Sequence, residues 1–176
     1  MRKALLTLYA TEYLHPGAGS TTGAIDLPVQ REVHSDLPVI AASSLKGALR
    51  QKAGESEGWR KNIEPIFGPD TGNANKHPGA LVIGEAKLLA IPIRSLKNVF
   101  QWTSSPLVLG RLRRDLARIG ADLPEVPAPQ EGYAIVPAGS GSGRLILEVL
   151  DFVARESEEL GEVLREIKGK LLPSGA

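Results

Sequence analysis

Residues 15–32 read HPGAGSTTGAIDLPVQRE, with three glycines, two prolines and three hydroxyl side chains around a lone His15 and a lone Asp26. The stretch follows ALLTL (4–8), a short apolar run with the length and flanks of a buried strand. A loop of this length without secondary structure is uncommon in a compact domain, and such loops tend to carry function. Its reading decides the fold: a strand gives way to a long glycine- and proline-rich excursion before the first helix begins.

The chain has 176 residues, 42% of them hydrophobic, enough to build a real core and to exclude global disorder. It has no cysteine, which removes disulfides, thiolate metal sites and cysteine nucleophiles and suits a reducing, cytoplasmic setting. The opening MRKALLTLYATEYL has the charge and apolar run of a signal peptide. The run is short, however, and meets Glu12 with no cleavage site. No stretch approaches the ~20 apolar residues of a membrane span, so no membrane partner is expected.

Net charge is +1 and names no partner, but its distribution is uneven. Between Arg94 and Arg118 six bases (Arg94, Lys97, Arg111, Arg113, Arg114, Arg118) face one acid, Asp115. Such a segment fits a polyanion-binding edge; the plainer alternative is a solvated helix face.

Downstream of the loop, LPVI (37–40) is an apolar step, and SSLKGALRQKAGE (43–55) has helical spacing. Ser43 or Ser44 is the expected cap, with Leu45, Ala48, Leu49 and Ala53 as the apolar stripe. A helix start offers free N–H groups and a positive dipole end, and Lys46 and Arg50, one turn apart, add charge suited to phosphate. The nucleotide-binding P-loop pattern is missing, and an ordinary capped surface helix is the competing reading. GALVIGEAKLLAIPI (79–93) reads as one strand or a bent pair. Phe100 and Trp102 lie in the basic segment, where aromatics either stack on unpaired bases or fill a core. Ser105, Pro106 and Gly120 bracket the clearest helix, with Leu107, Leu109, Leu112, Leu116 and Ile119 near helical spacing. A Pro-rich linker (121–132), a strand RLILEVLDFVA (144–154) and a final amphipathic helix complete an α+β order of alternating strands and helices. Histidine can move protons near neutral pH and a carboxylate can take a proton or bind a metal, so His15 and Asp26 are catalytic candidates; turn chemistry is the alternative.

Four stretches in order, LHPGAGSTTGAIDLPVQREVHSDLPVI (14–40), SSLKGALR (43–50), GALVIGEAKLLAIPIRSLKNVFQWTSSPLVLGRLRRD (79–115) and RLILEVLDF (144–152), resemble the RAMP superfamily of CRISPR effector proteins. They are similar above all to the backbone nuclease subunits of type III-B (Cmr) complexes. The pairing of GAIDLPVQRE with IAASSLKGALR is the specific part, and the likeness runs from about residue 4 to 153. The resemblance implies a single RAMP-type RNA-binding domain over 1–176 with a modified ferredoxin-like, RRM-like core and long inserted loops. It implies copies stacked along a guide RNA with other effector subunits, each cutting the paired target RNA. Asp26 matches the loop aspartate implicated in cleavage with a divalent metal (Mg²⁺ or Mn²⁺), and His15 matches a nearby loop histidine. Ser43, Ser44, Lys46 and Arg50 match the segment that holds the guide backbone. Arg94, Lys97, Phe100 and Trp102 fall in the region of the thumb that wedges into the guide–target duplex. Family members continue through a second half that this chain lacks, so a truncated or compact form is expected. The alternatives are a non-catalytic guide-binding scaffold of the same superfamily, or a small-molecule enzyme with a phosphate site at Ser43–Lys46.

Overall fold

The structure is a computed structural model that describes residues 1–17, 27–73 and 75–171. In chain order the elements are β1 (Val39–Ile40), α1 (Ala42–Glu55), α2 (Glu57–Arg60), α3 (Ile63–Phe67), a 3-10 turn (Thr71–Asn73), β2 (Ala86–Lys87), β3 (Ile91–Arg94), β4 (Phe100–Thr103), α4 (Pro106–Ala117), β5 (Tyr133–Pro137), β6 (Gly143–Leu147), β7 (Leu150–Ser157) and α5 (Glu158–Leu171). The class is α+β as expected, and the strands form small sheets of two, two and three. The described residues fall into two compact units, one within Glu12–Leu88 and one drawn from Met1–Thr11 and Leu89–Ala176.

In the Glu12–Leu88 unit, β1 pairs antiparallel with β2, Val39 opposite Lys87. Helix α1 begins one residue earlier than the sequence suggests. Ala41 is its N-cap, no side chain caps it, and Ser43 and Ser44 are exposed in its first turn. Its apolar stripe is only half covered, for no residue of α1 is fully buried. After α3 the chain turns at Gly68 (φ 92°) and returns past its own backbone at Gly79. A Cβ on Gly79 would run into the backbone of Phe67 and Gly68, so only glycine admits that crossing. Hydrogen bonds from Ala80 N to Pro65 O (3.0 Å) and from Leu81 N to Ile66 O (2.9 Å) fasten the return.

In the other unit, α4 follows its sequence signals. Ser105 accepts from Val108 N, Pro106 opens the helix, and Gly120 sits at φ 77° just past its end. The buried stripe is Val108, Leu112 and Leu116, while Leu107 and Ile119 face outward. Leu112 and Leu116 join Leu123, Val163 and Ile167 in one core cluster. Leu123 is only 3% exposed, so the Pro-rich stretch is a core strap and not a free linker. Arg113 pins the same strap through Glu125 (2.7 Å).

Three strand expectations change. RLILEVLDFVA is two strands: β6 turns back at Glu148–Val149 and pairs antiparallel with β7. β5, unread in the sequence, pairs parallel with the far side of β7, giving the order β5-β7-β6. Residues 3–10 belong to no strand, although Leu5 packs against the α4–α5 cluster. GALVIGEAKLLAIPI, read as one strand or a bent pair, yields two short strands in different sheets, β2 and β3, with Pro92 inside β3. The ambiguous stretch after it resolves as a β3–β4 hairpin, with Ile91 opposite Thr103 and Arg94 opposite Phe100.

Candidate nucleic-acid interface

The expected site residues fall into two sets, one per unit. The first comprises His15 and the start of α1. The His15 ring Nε2 lies 2.7 Å from the carbonyl oxygen of Leu27. A carbonyl oxygen can only accept, so Nε2–H is the donor of this bond. A Gly17–Val29 bridge and a hydrogen bond from Gln30 N to Pro16 O (2.9 Å) run alongside. Together they draw residues 15–17 against 27–30, closing the neck of the loop. Leu27 holds φ 51°, a left-handed conformation uncommon for a branched side chain. Asp26, the expected catalytic carboxylate, lies outside the described residues.

At α1 the first-turn amides have no side-chain cap, so the helix start stays open to an anion. Lys46 is half-buried in that turn. Arg50 is committed elsewhere: its Nη1 donates to the carbonyls of Gly68 (2.7 Å) and Pro69 (3.0 Å), tying α1 to the loop after α3. One turn of helix therefore separates a lysine beside open amides from an arginine that braces the fold.

The second set lies on the β3–β4 hairpin. Phe100 and Trp102 are on one face of β4, both exposed, with ring centroids 6.0 Å apart and nearly perpendicular planes. Tyr9, which the sequence reading passed over, stands 6.3 Å from Trp102. Arg94 and Lys97 are engaged within the protein. Arg94 Nε and Nη2 both donate to the Glu148 carboxylate, the shortest contact being 2.6 Å, and Glu148 N donates to Arg94 O (2.8 Å). The hydrogen bonds from Arg94 hold the Glu148 carboxyl below the usual carboxylate range, and the Arg94 guanidinium is raised in turn. Lys97 Nζ donates to Ser140 O (2.6 Å). Both bases thus anchor the hairpin to the connections flanking β6, while the aromatic rings project from it. Signals for these partners were absent locally, since Glu148 and Ser140 lie more than forty residues downstream.

The basic segment is likewise partly spent on ion pairs, Arg113 with Glu125 and Arg118 with Asp115. Among the described residues no three His, Asp or Glu side chains gather as a cation site. No helix among them is long and apolar enough to cross a membrane.

Comparison with known proteins agrees with the sequence resemblance. Residues 7–172 match the RAMP superfamily. A curated relative from Pyrococcus furiosus, the CRISPR system Cmr endoribonuclease Cmr4, is 45% identical over 122 residues, covering 68% of this chain and 41% of the relative. The crystal structure of oligomeric Cmr4 from Pyrococcus furiosus superposes with a TM-score of 0.68 at 33% identity, over 88% of this chain and 56% of that one. A type III-B Cmr-beta complex bound to cognate target RNA contains a chain similar in fold, with a TM-score of 0.57 at 21% identity, over 86% of this chain and 65% of that one. The chain thus spans about half the length of these relatives.

Proposed function

The chain belongs to the RAMP superfamily, and from that premise we propose that it is a backbone subunit of a type III-B CRISPR effector, binding guide RNA and cutting the target RNA paired to it. The 45% identity to a relative named as a CRISPR endoribonuclease carries this reading. In this reading residues 1–176 are one RAMP-type RNA-binding domain on a modified ferredoxin-like core. It acts in the cytoplasm, in company with other subunits and further copies.

RNA supplies its own nucleophile. The 2′-OH beside the scissile bond attacks phosphorus, the bond to the 5′-oxygen breaks, and a cyclic phosphate and a 5′-OH remain. The protein has to align that hydroxyl, take its proton and bear the added phosphate charge. In this reading the Asp26 carboxylate takes the proton and water returns one to the leaving oxygen. The closed neck at His15 and Leu27 supports it, because a loop fastened at its base presents its residues from a fixed root. The open start of α1, with Ser43, Ser44 and Lys46, supports a grip on guide phosphates. The rings of Phe100 and Trp102 suit insertion beside bases. Mg²⁺ or Mn²⁺ is the cofactor expected in this reading.

The test is an assembled complex of the chain, guide RNA and effector subunits, offered labelled target RNA with Mg²⁺ or Mn²⁺. Cuts at a regular interval are expected. Asp26→Asn should still bind guide and lose about 10²-fold or more in cutting rate. Unchanged cutting by Asp26→Asn removes that residue from the chemistry. An uncut target with the unmodified chain favours the scaffold alternative.

A further inference from the structure

Arg94 ends β3 with its side chain 84% exposed, yet that side chain is held in place. Its Nε donates to both oxygens of the Glu148 carboxylate (3.0 and 3.1 Å), and its Nη2 donates to Oε2 (2.6 Å). The carboxylate therefore takes one side edge of the guanidinium. Among the described residues Nη1 donates to nothing, so the end formed by Nη1 and Nη2 faces water. Glu148 is itself fixed. Its backbone N donates to Arg94 O (2.8 Å), and the neighbouring Ser95–Leu147 bridge joins the same two segments. Main chain and side chain thus tie the two residues together at once.

We propose that Glu148 is a positioning residue, which aims the open end of Arg94 at a phosphate of the RNA backbone beside the hairpin rings. The inference rests on the guide-binding reading and adds to it a residue that touches no RNA. A guanidinium presents its donors in a rigid planar fork, and two parallel bonds to phosphate oxygens require that fork to be aimed. A long side chain that is ordered only on binding loses affinity, whereas one already braced by a carboxylate loses less. Phe100 lies opposite Arg94 in the β3–β4 ladder, so the fork is mounted on the element that carries the exposed rings. Lys97 does not share this arrangement, since its Nζ donates to Ser140 O. The opposite charges of Arg94 and Glu148 largely cancel at a distance, so the contribution of the pair is aim at close range.

The test is the fluorescence anisotropy of a labelled single-stranded RNA titrated with the full chain near physiological salt. Removing a negative charge beside a polyanion by itself tightens binding. Glu148→Gln should instead weaken RNA binding by about three- to tenfold, because Arg94 loses its brace. In an Arg94→Ala background the same change should no longer weaken binding, a result that a merely structural role for Glu148 does not give. Glu148 sits at φ 54°, where asparagine is at ease, so Glu148→Asn removes the brace in a residue suited to the turn. It should weaken RNA by a similar factor, and it carries the test where the glutamine variant fails to fold. Equal or tighter binding by a folded Glu148 variant overturns the proposal. So does the same loss with and without Arg94. An unmodified chain that binds no RNA overturns the guide-binding reading together with this one, so the two failures are told apart.

Discussion

His15 shows what a single residue can and cannot announce. In the sequence it is a loop histidine open to turn chemistry or proton handling. In the structure its Nε2 is 2.7 Å from Leu27 O. That bond helps hold Leu27 in a left-handed conformation, which costs about 1–3 kcal/mol for a residue other than glycine. A partner twelve residues away had no local signal; only the folded neck brings it in. A neck clamp and a proton carrier make different demands on the side chain. His15→Gln keeps an amide donor at nearly the same reach and removes the titratable ring. His15→Ala removes both. If His15 clamps, the glutamine variant should cut target within a few-fold of the unmodified chain, while the alanine variant cuts less and its loop is nicked faster by protease. If His15 moves protons, both variants should fall together by about 10² or more. Single-turnover cleavage by the two variants separates the roles. Asp26 is singled out by family likeness alone, since nothing local tells a catalytic aspartate from one that serves a turn.

At the scale of elements, legibility followed chemistry written in neighbouring residues. Helix α4 was readable because a serine cap, a first-turn proline and a left-handed glycine all sit in its own sequence. The β6–β7 turn was not, because Glu148 takes φ 54° without glycine, asparagine or aspartate to mark it. The turn is secured from outside by Arg94, 54 residues away. β5 was hidden for a similar reason, its pairing with β7 being non-local. Helix α1 was legible in extent but not in the work of its bases. Lys46 and Arg50 looked equivalent, yet Arg50 is bound to two backbone carbonyls. Their replacements should therefore part company. Lys46→Ala should weaken guide RNA for any sequence and lower the salt slope of binding by about one, leaving thermal stability nearly unchanged. Arg50→Ala should lose about 1–3 kcal/mol of stability, the scale for a charged donor serving carbonyls, with a smaller change in slope. Salt titrations beside thermal melts read both. Equal slopes and equal melting temperatures for the two variants would refute the division.

For the whole molecule, composition and element order sufficed for the α+β class, but not for which strands share a sheet. Sheet membership depends on contacts between distant segments, and the described residues carry three separate small sheets and two compact units. The same scale governs assembly. A backbone subunit needs two different faces that meet head to tail, giving an open array whose length follows its template. Such growth is what the proposed function requires of this chain. On the proposed function a guide would act as a ligand that favours the assembled state by mass action, since each added copy would gain phosphate contacts and a neighbour together. Sedimentation of the chain with guides of increasing length should show species that grow stepwise with guide length. The steps should shrink at high salt as the phosphate contacts weaken. The chain without RNA should sediment as a smaller species whose size does not depend on added short duplex DNA. A particle of constant mass across all guide lengths would mean a closed assembly, and the head-to-tail array would have to be abandoned.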